Sequence, residues 1–292
     1  MHVDQVDVTV DVVRRLVADQ FPRWRELPVH PVASDGTVNA LFRLGDEVVL
    51  RFPLRPGPEA RAELVREQEN ARLVAAHVPL EVPTPIALGE PGDGYPGAWA
   101  AYRWIPGAPV TSAPVRDLDA LARDLAGFVR ALHAVPTGGR RWDGSGRGGP
   151  LGGLDGDVRA ALAASARLTD TVRLGELWSR CLAAAPHPGP DVWIHADLMP
   201  GNLLVRDGRL AAVIDLAAVG VGDPAVDLMP AWNLLPTRAR ETFRRDLDAD
   251  DATWDRGRGW ALAQAIIALP YYIETNPGMA QTARRTLAAL LD

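Results

Sequence analysis

The stretch VWIHADLMPGNLLVRDGRLAAVIDL, residues 192–216, sets Asp197, Asn202 and Asp215 among apolar runs. A carboxylate followed by a carboxamide and then a second carboxylate suits phosphoryl transfer. The first accepts the proton of an attacking hydroxyl, and the other two offer oxygen ligands to the Mg2+ ions that neutralise the transferring group. Turns attract Asp and Asn on their own account, so no one of the three is informative alone. Their order, their spacing and the strand-like runs around them carry the reading together. Such chemistry depends on positioning and electrostatics. The runs Val192–Ile194 and Leu203–Val205 are therefore read as short strands holding the loop between them. His195, at the edge of the first run, is read as a hydrogen-bonded structural histidine, and Asp227 as a brace for the loop.

The elements that must position these residues differ along the chain. In the first part, TVNALFRLGDEVVLRFP forms two β-rich runs joined at Gly45-Asp46, a hairpin signal. From Pro58 to His77 the residues are helix formers, with Leu64, Glu67 and Ala71 along one side. A proline-rich stretch and a further strand in AWAAYRWI complete a small sheet with one helix. Beyond PGAP, Leu118, Leu121, Leu125, Val129 and Leu132 recur at helical spacing. TGGRRWDGSGRGGPLGG reads as a mobile loop with little to bury, and RARETFRRDLD and GWALAQAIIALPYYIE as helices. The expected domains are 1–104 and 105–292.

Composition excludes several chemistries. All 31 basic residues are arginine, so a Walker A loop and a pyridoxal Schiff base, both of which need lysine, are ruled out. A net charge of −6 with scattered arginines argues against nucleic-acid binding and mildly favours a cationic small substrate. The single cysteine, Cys181, has no internal disulfide partner, and the N-terminus lacks the layout of a signal peptide. No apolar run reaches the roughly 20 residues of a membrane helix, WALAQAIIALP stopping at Pro270. The expectation is a cytoplasmic protein away from membranes, monomer or homodimer.

HADLMPGN has the H-x-D-L-x-x-x-N spacing of a kinase catalytic loop, and VIDLA follows as strand, aspartate, turn. With GTVNALFRLGDEVVLRFP, AAYRWIPG, FVRALHAV and AWNLLP, nearly the whole chain resembles the aminoglycoside phosphotransferase family of the protein-kinase-like superfamily. The resemblance implies an α+β, kinase-like bilobal fold: a small N-lobe with an antiparallel sheet and a helix, and a larger helical C-lobe. It implies ATP or GTP as donor with Mg2+, Asp197 as proton acceptor, and Asn202 and Asp215 as metal ligands. Trp104 and Ile105 stand at the linker whose backbone would meet the purine. Gly36 is the sole glycine of the phosphate-loop position. Where the family has a strand lysine paired with a helix glutamate, this chain offers Arg51 and Glu67. Ala196 and Ala217 replace two glycines of the family, a change tolerated where the backbone avoids positive φ.

The segment from Asp215 to Asp227 is too short for the long activation loop that docks polypeptides, so the expected acceptor is a hydroxylated small molecule. The resemblance implies an antibiotic such as an aminoglycoside, with Asp223 and Glu274 as candidate partners for its ammonium groups. Macrolide, peptide or nucleoside antibiotics and choline-like metabolites are the alternatives. A different class of reading is a pseudokinase binding module. The missing lysine supports it, and the joint presence of Asp197, Asn202 and Asp215 opposes it.

Overall fold

Side chains alternate along Val48–Pro53, with Val48, Leu50 and Phe52 buried on one face and Arg51 on the other. That period of two is what a strand with two different faces requires. The computed structural model describes residues 5–33 and 38–292, and Gly36 lies outside them. The chain divides into two compact units. The first comprises Met1–Ala76, Glu81–Pro106 and Ile214–Ala217, and the second His77–Leu80, Gly107–Val213 and Ala218–Asp292.

The first unit is an antiparallel sheet of β1 (Val29–Val32), β2 (Asn39–Leu44), β3 (Val48–Pro53), β4 (Pro85–Gly89) and β5 (Trp99–Arg103), in the order β1-β2-β3-β5-β4. β2 and β3 form the hairpin expected at Gly45-Asp46, with Leu44 opposite Val48. One face packs Phe52 against Trp99, their rings stacked at 5.0 Å, with Tyr95 edge-on to Phe52 at 5.1 Å. Helix α1 (Val10–Gln20), which was not anticipated, adds Val13, Leu16 and Val17 to this core. Thr9 caps it by accepting from the Val12 N–H. The other face meets α2 (Ala60–Ala75), where Leu64 packs with Ala98, Ala100 and Tyr102.

The second unit is mainly helical. Its helices are α3 (Leu118–His133), α4 (Asp155–Ala164), α5 (Thr171–Leu182), α6 (Pro230–Asn233), α7 (Thr237–Asp246), α8 (Asp251–Tyr272) and α9 (Pro277–Leu291). In α3, Leu121, Leu125, Val129 and Leu132 are buried as expected, whereas Leu118, in the first turn, is exposed. Asp117 caps the helix, accepting from the Ala120 N–H at 3.0 Å. Helix α8 continues two residues beyond Pro270, since the ring costs only one backbone bond that close to a helix end. Among the described residues, no helix is long and apolar enough to cross a membrane.

Small sheets frame the loop of interest. β6 (Ala108–Pro109), β8 (Leu203–Arg206) and β9 (Arg209–Val213) form one, and β7 (Val192–Ile194) pairs with β10 (Gly220–Gly222) in another. The two strands beside the loop therefore belong to different sheets. Asp207 and Gly208, both at positive φ, close the β8–β9 hairpin.

Candidate active site

In the second unit the backbone leaves β7 at His195 and turns sharply, Ala196 having φ 63°. The condition under which alanine replaces glycine without strain is not met at this position: Ala196 is fully buried in the conformation that favours glycine. Two backbone donors hold the turn to one acceptor. The N–H of His195 reaches Asp227 Oδ2 at 3.0 Å, and that of Ala196 reaches Oδ1 at 2.8 Å. Asp227 is wholly buried, and the imidazole Nε2 of His133 lies 3.0 Å from its Oδ2. The His195 ring is buried too, its Nδ1 accepting from the Asp197 N–H at 3.2 Å.

These braces aim Asp197. Its Oδ1 accepts from Arg147 at 2.6 Å and from Gln264 Nε2 at 3.1 Å. Its Oδ2 accepts from Asn202 Nδ2 at 3.1 Å, and the same amide group bonds the Asp197 carbonyl at 2.9 Å. Among the described residues, no hydrogen bond engages the side-chain oxygen of Asn202. Asn233 donates to the Leu198 carbonyl at 3.1 Å and steadies the loop from α6.

Arg147 and Gln264 were not found from sequence. Gln264 had a signal, as the polar residue inside the apolar run WALAQAIIALP. Arg147 had none, since the glycine-rich segment reads as solvent-exposed loop. It is a loop, but a tethered one. Asp191 Oδ2 accepts from the Trp142 N–H at 2.8 Å, and the Gly148 carbonyl accepts from the Asp223 N–H at 2.8 Å.

In the first unit Arg51 projects from β3 to Glu67 on α2, forming a direct ion pair, and to Asp215 Oδ1 at 3.4 Å. Arg51 and Glu67 are 12% and 5% exposed, so the pair is shielded from solvent. Glu69 is exposed and faces away. Burial works against the Arg51 charge, but Glu67 and Asp215 outweigh it and hold the guanidinium above its usual pKa. Tyr102, whose ring lies 5.8 Å from Arg51 Cζ, has its phenol pushed up by burial and then by the charge of Glu67. Asp215 itself is at φ 64°, a conformation that Asp tolerates better than most side chains. Ala217 lies in a short 3-10 turn, Leu216–Ala218, and, unlike Ala196, is not at positive φ.

The Trp104 N–H donates to the Glu47 carbonyl at 2.7 Å, so Trp104 has only its carbonyl to offer a base. Ile105 follows it outside any regular secondary structure. Asp223, expected to pair with an acceptor's ammonium groups, instead pairs with buried Arg256, Nε to Oδ2 at 2.7 Å and NH2 to Oδ1 at 3.2 Å. It also caps the turn that carries Asp227, accepting from the Ala225 N–H at 2.9 Å. Glu274 is exposed in the turn after α8.

The sequence model of the phosphotransferase enzyme family matches residues 30–260. The chain belongs to this family. As a phosphotransferase it has a curated relative in the Escherichia coli aminoglycoside 3'-phosphotransferase, 28% identical over 198 residues, 62% of this chain and 68% of that protein. The GDP complex of aminoglycoside 2'-phosphotransferase-IIIa superposes with a TM-score of 0.68 at 18% identity, covering 95% of this chain and 97% of that one. Macrolide 2'-phosphotransferase MphH from Brachybacterium faecium does so at 0.62 and 24%, covering 97% and 98%. These structures share the kinase-like fold of this phosphotransferase.

Proposed function

We propose that this phosphotransferase moves the γ-phosphoryl group of ATP or GTP to a hydroxyl of an antibiotic, an aminoglycoside or a related natural product. The observation that carries the reading is the Asp197 carboxylate, fixed by Arg147, Gln264 and Asn202 on a loop braced by Asp227. A carboxylate so oriented accepts a hydroxyl proton without first having to be ordered. Asn202 keeps a free amide oxygen and Asp215 is 39% exposed, so each offers the hard oxygen donor that Mg2+ takes. When bound, Mg2+ supplies charge neutralisation at the phosphates. Arg51, oriented by Glu67, grips phosphate oxygens in place of the lysine, and the Trp104 carbonyl and Ile105 meet the base. Relatives named for aminoglycosides and macrolides support an antibiotic acceptor.

The test is phosphate transfer from ATP and GTP to a panel of aminoglycosides, macrolides and nucleoside and peptide antibiotics, followed by product mass. Transfer to none of them, with nucleotide still bound, favours the binding-module reading instead.

A further inference from the structure

We infer that Arg147 is a positioning residue for phosphoryl transfer, delivered by the glycine-rich segment to leave Asp197 one usable proton-accepting direction. The inference rests on the functional reading above. A carboxylate offers about four lone-pair directions. On Asp197 three are occupied: two on Oδ1, by Arg147 at 2.6 Å and Gln264 at 3.1 Å, and one on Oδ2, by Asn202 at 3.1 Å. The vacant direction is on Oδ2. There the acceptor's O–H bond breaks and its proton passes to Oδ2 as the new oxygen–phosphorus bond forms. The bond from the γ-phosphorus to the bridging oxygen breaks, and its electron pair leaves with the nucleoside diphosphate.

Arg147 differs from the other two donors in carrying charge, and the backbone it grips is that of the turn itself. Its NH1 also donates to the Ala196 carbonyl at 3.0 Å, so one guanidinium ties the strained turn to the carboxylate beyond it. Charge-assisted contacts of this kind are stronger than those of neutral amides. The segment is shaped to place it. Gly148, next in sequence, sits at φ 100°, and a Cβ there would come within 2.4 Å of Ile194 Cδ1. A Cβ on Gly149 would come within 2.5 Å of the Trp142 ring. Glycines at these two positions let the backbone press against β7 and Trp142, and the Gly148 carbonyl is pinned by the Asp223 N–H. Freed from Arg147, the carboxylate regains rotational freedom that the amides of Gln264 and Asn202 restrain less.

The experiment compares wild type, Arg147→Ala and Arg147→Lys. Arg147→Ala is expected to lower kcat by about 10- to 100-fold, the scale of a misplaced reacting group, with nucleotide KM within about twofold. Millimolar guanidinium should restore part of the loss, and Arg147→Lys should retain more rate than Arg147→Ala. A loss that falls on nucleotide KM, or one that guanidinium leaves unchanged, overturns the role. So does an unchanged kcat. A second arm needs no turnover: amide exchange of residues 142–149 in Arg147→Ala, Asp197→Ala and the double variant. Each single change should speed exchange, and the double should add little. Additive effects would show that the two side chains do not act together. If wild type phosphorylates no acceptor, the functional reading fails, while this arm still decides whether Arg147 and Asp197 are coupled.

Discussion

Asn202 binds Asp197 twice, its amide nitrogen lying 2.9 Å from the backbone carbonyl and 3.1 Å from Oδ2. The pair fixes the loop conformation and the carboxylate orientation with one side chain. Asp197→Ala should lower kcat by roughly 10²–10⁴-fold, the usual range for loss of a general base, with little change in nucleotide affinity. Steady-state kinetics at saturating acceptor checks this, and a near-normal kcat would refute the role of Asp197. Asn202→Ala should lower kcat, because it removes the orienting nitrogen, and should also raise the Mg2+ concentration needed for half-maximal rate if its oxygen serves as the proposed ligand.

Arg51 faces two carboxylates, Glu67 and Asp215, within one compact unit. Arg51→Ala should raise nucleotide KM and lower kcat/KM about 10-fold or more, as loss of ~1.4 kcal/mol of charge-assisted binding implies. Glu67→Ala should do the same more weakly. The double variant should fall short of additivity, because Glu67 acts by orienting Arg51. Nucleotide titrations of the four proteins decide it, and an unaltered KM in Arg51→Ala would make the arginine a structural charge only.

The hairpin around Gly45-Asp46, the buried face of α2 and the α3 stripe were legible because period and turn chemistry are local properties. So was the placing of Glu67 on the same side of α2 as Leu64 and Ala71, where Arg51 meets it. Helix α1 was missed because VDVVRRLVADQ is rich in β-branched residues whose propensity points to strand, and tertiary burial of Val13, Leu16 and Val17 overrides it. Arg147 was beyond local reading altogether. What brings it to Asp197 is a contact 50 residues away in sequence.

Ala196 holds a left-handed backbone conformation, φ 63°, with its methyl group fully buried. For an alanine that conformation costs ~1–2 kcal/mol, whereas burying the methyl group gives back ~0.8 kcal/mol. Ala196→Gly should therefore shift Tm by only a few degrees, upward if at all. Ala196→Val should lower Tm clearly, because a β-branched side chain suits neither the backbone conformation nor the closed space. Thermal denaturation of the two variants separates these outcomes, and equal Tm values for both would remove strain from the account.

Helix α9 ends among arginines that reach it from three other helices. Arg173 donates to the Leu291 carbonyl at 2.7 Å, Arg258 to Leu290 at 2.8 Å and Arg240 to Ala289 at 3.4 Å. Cations at a helix C-terminus meet carbonyls that lack intrahelical partners, and they complement the negative end of the dipole. Arg258→Met should lower stability by about 1–2 kcal/mol, since it leaves a carbonyl unpaired while keeping the apolar stem. Arg258→Lys should recover part of it. Urea denaturation measures both, and stability unchanged in Arg258→Met would show that water caps the helix equally well.

Cys181 is buried on α5, its Cβ close to where a side chain on Gly259 would stand. Burial pushes its thiol up to about 12. The folded protein thus holds the proton more tightly than the unfolded chain, whose thiol titrates at about 8.5. The sign follows from linkage. The thiol has no effect on the pH dependence of stability below about 8.5, where it is protonated in both states. As pH rises from there toward about 12 the unfolded chain alone loses the proton, so stability falls. Cys181→Ala should flatten the alkaline decline of Tm relative to wild type, after allowing for a pH-independent offset from the lost sulfur. The native thiol should also resist a thiol-specific disulfide reagent at pH 8 and react once urea unfolds the chain, because the thiolate is the nucleophile. Rapid modification of the folded protein, together with parallel alkaline Tm curves for Cys181→Ala and wild type, would show that the α5–α8 packing leaves this sulfur open to solvent.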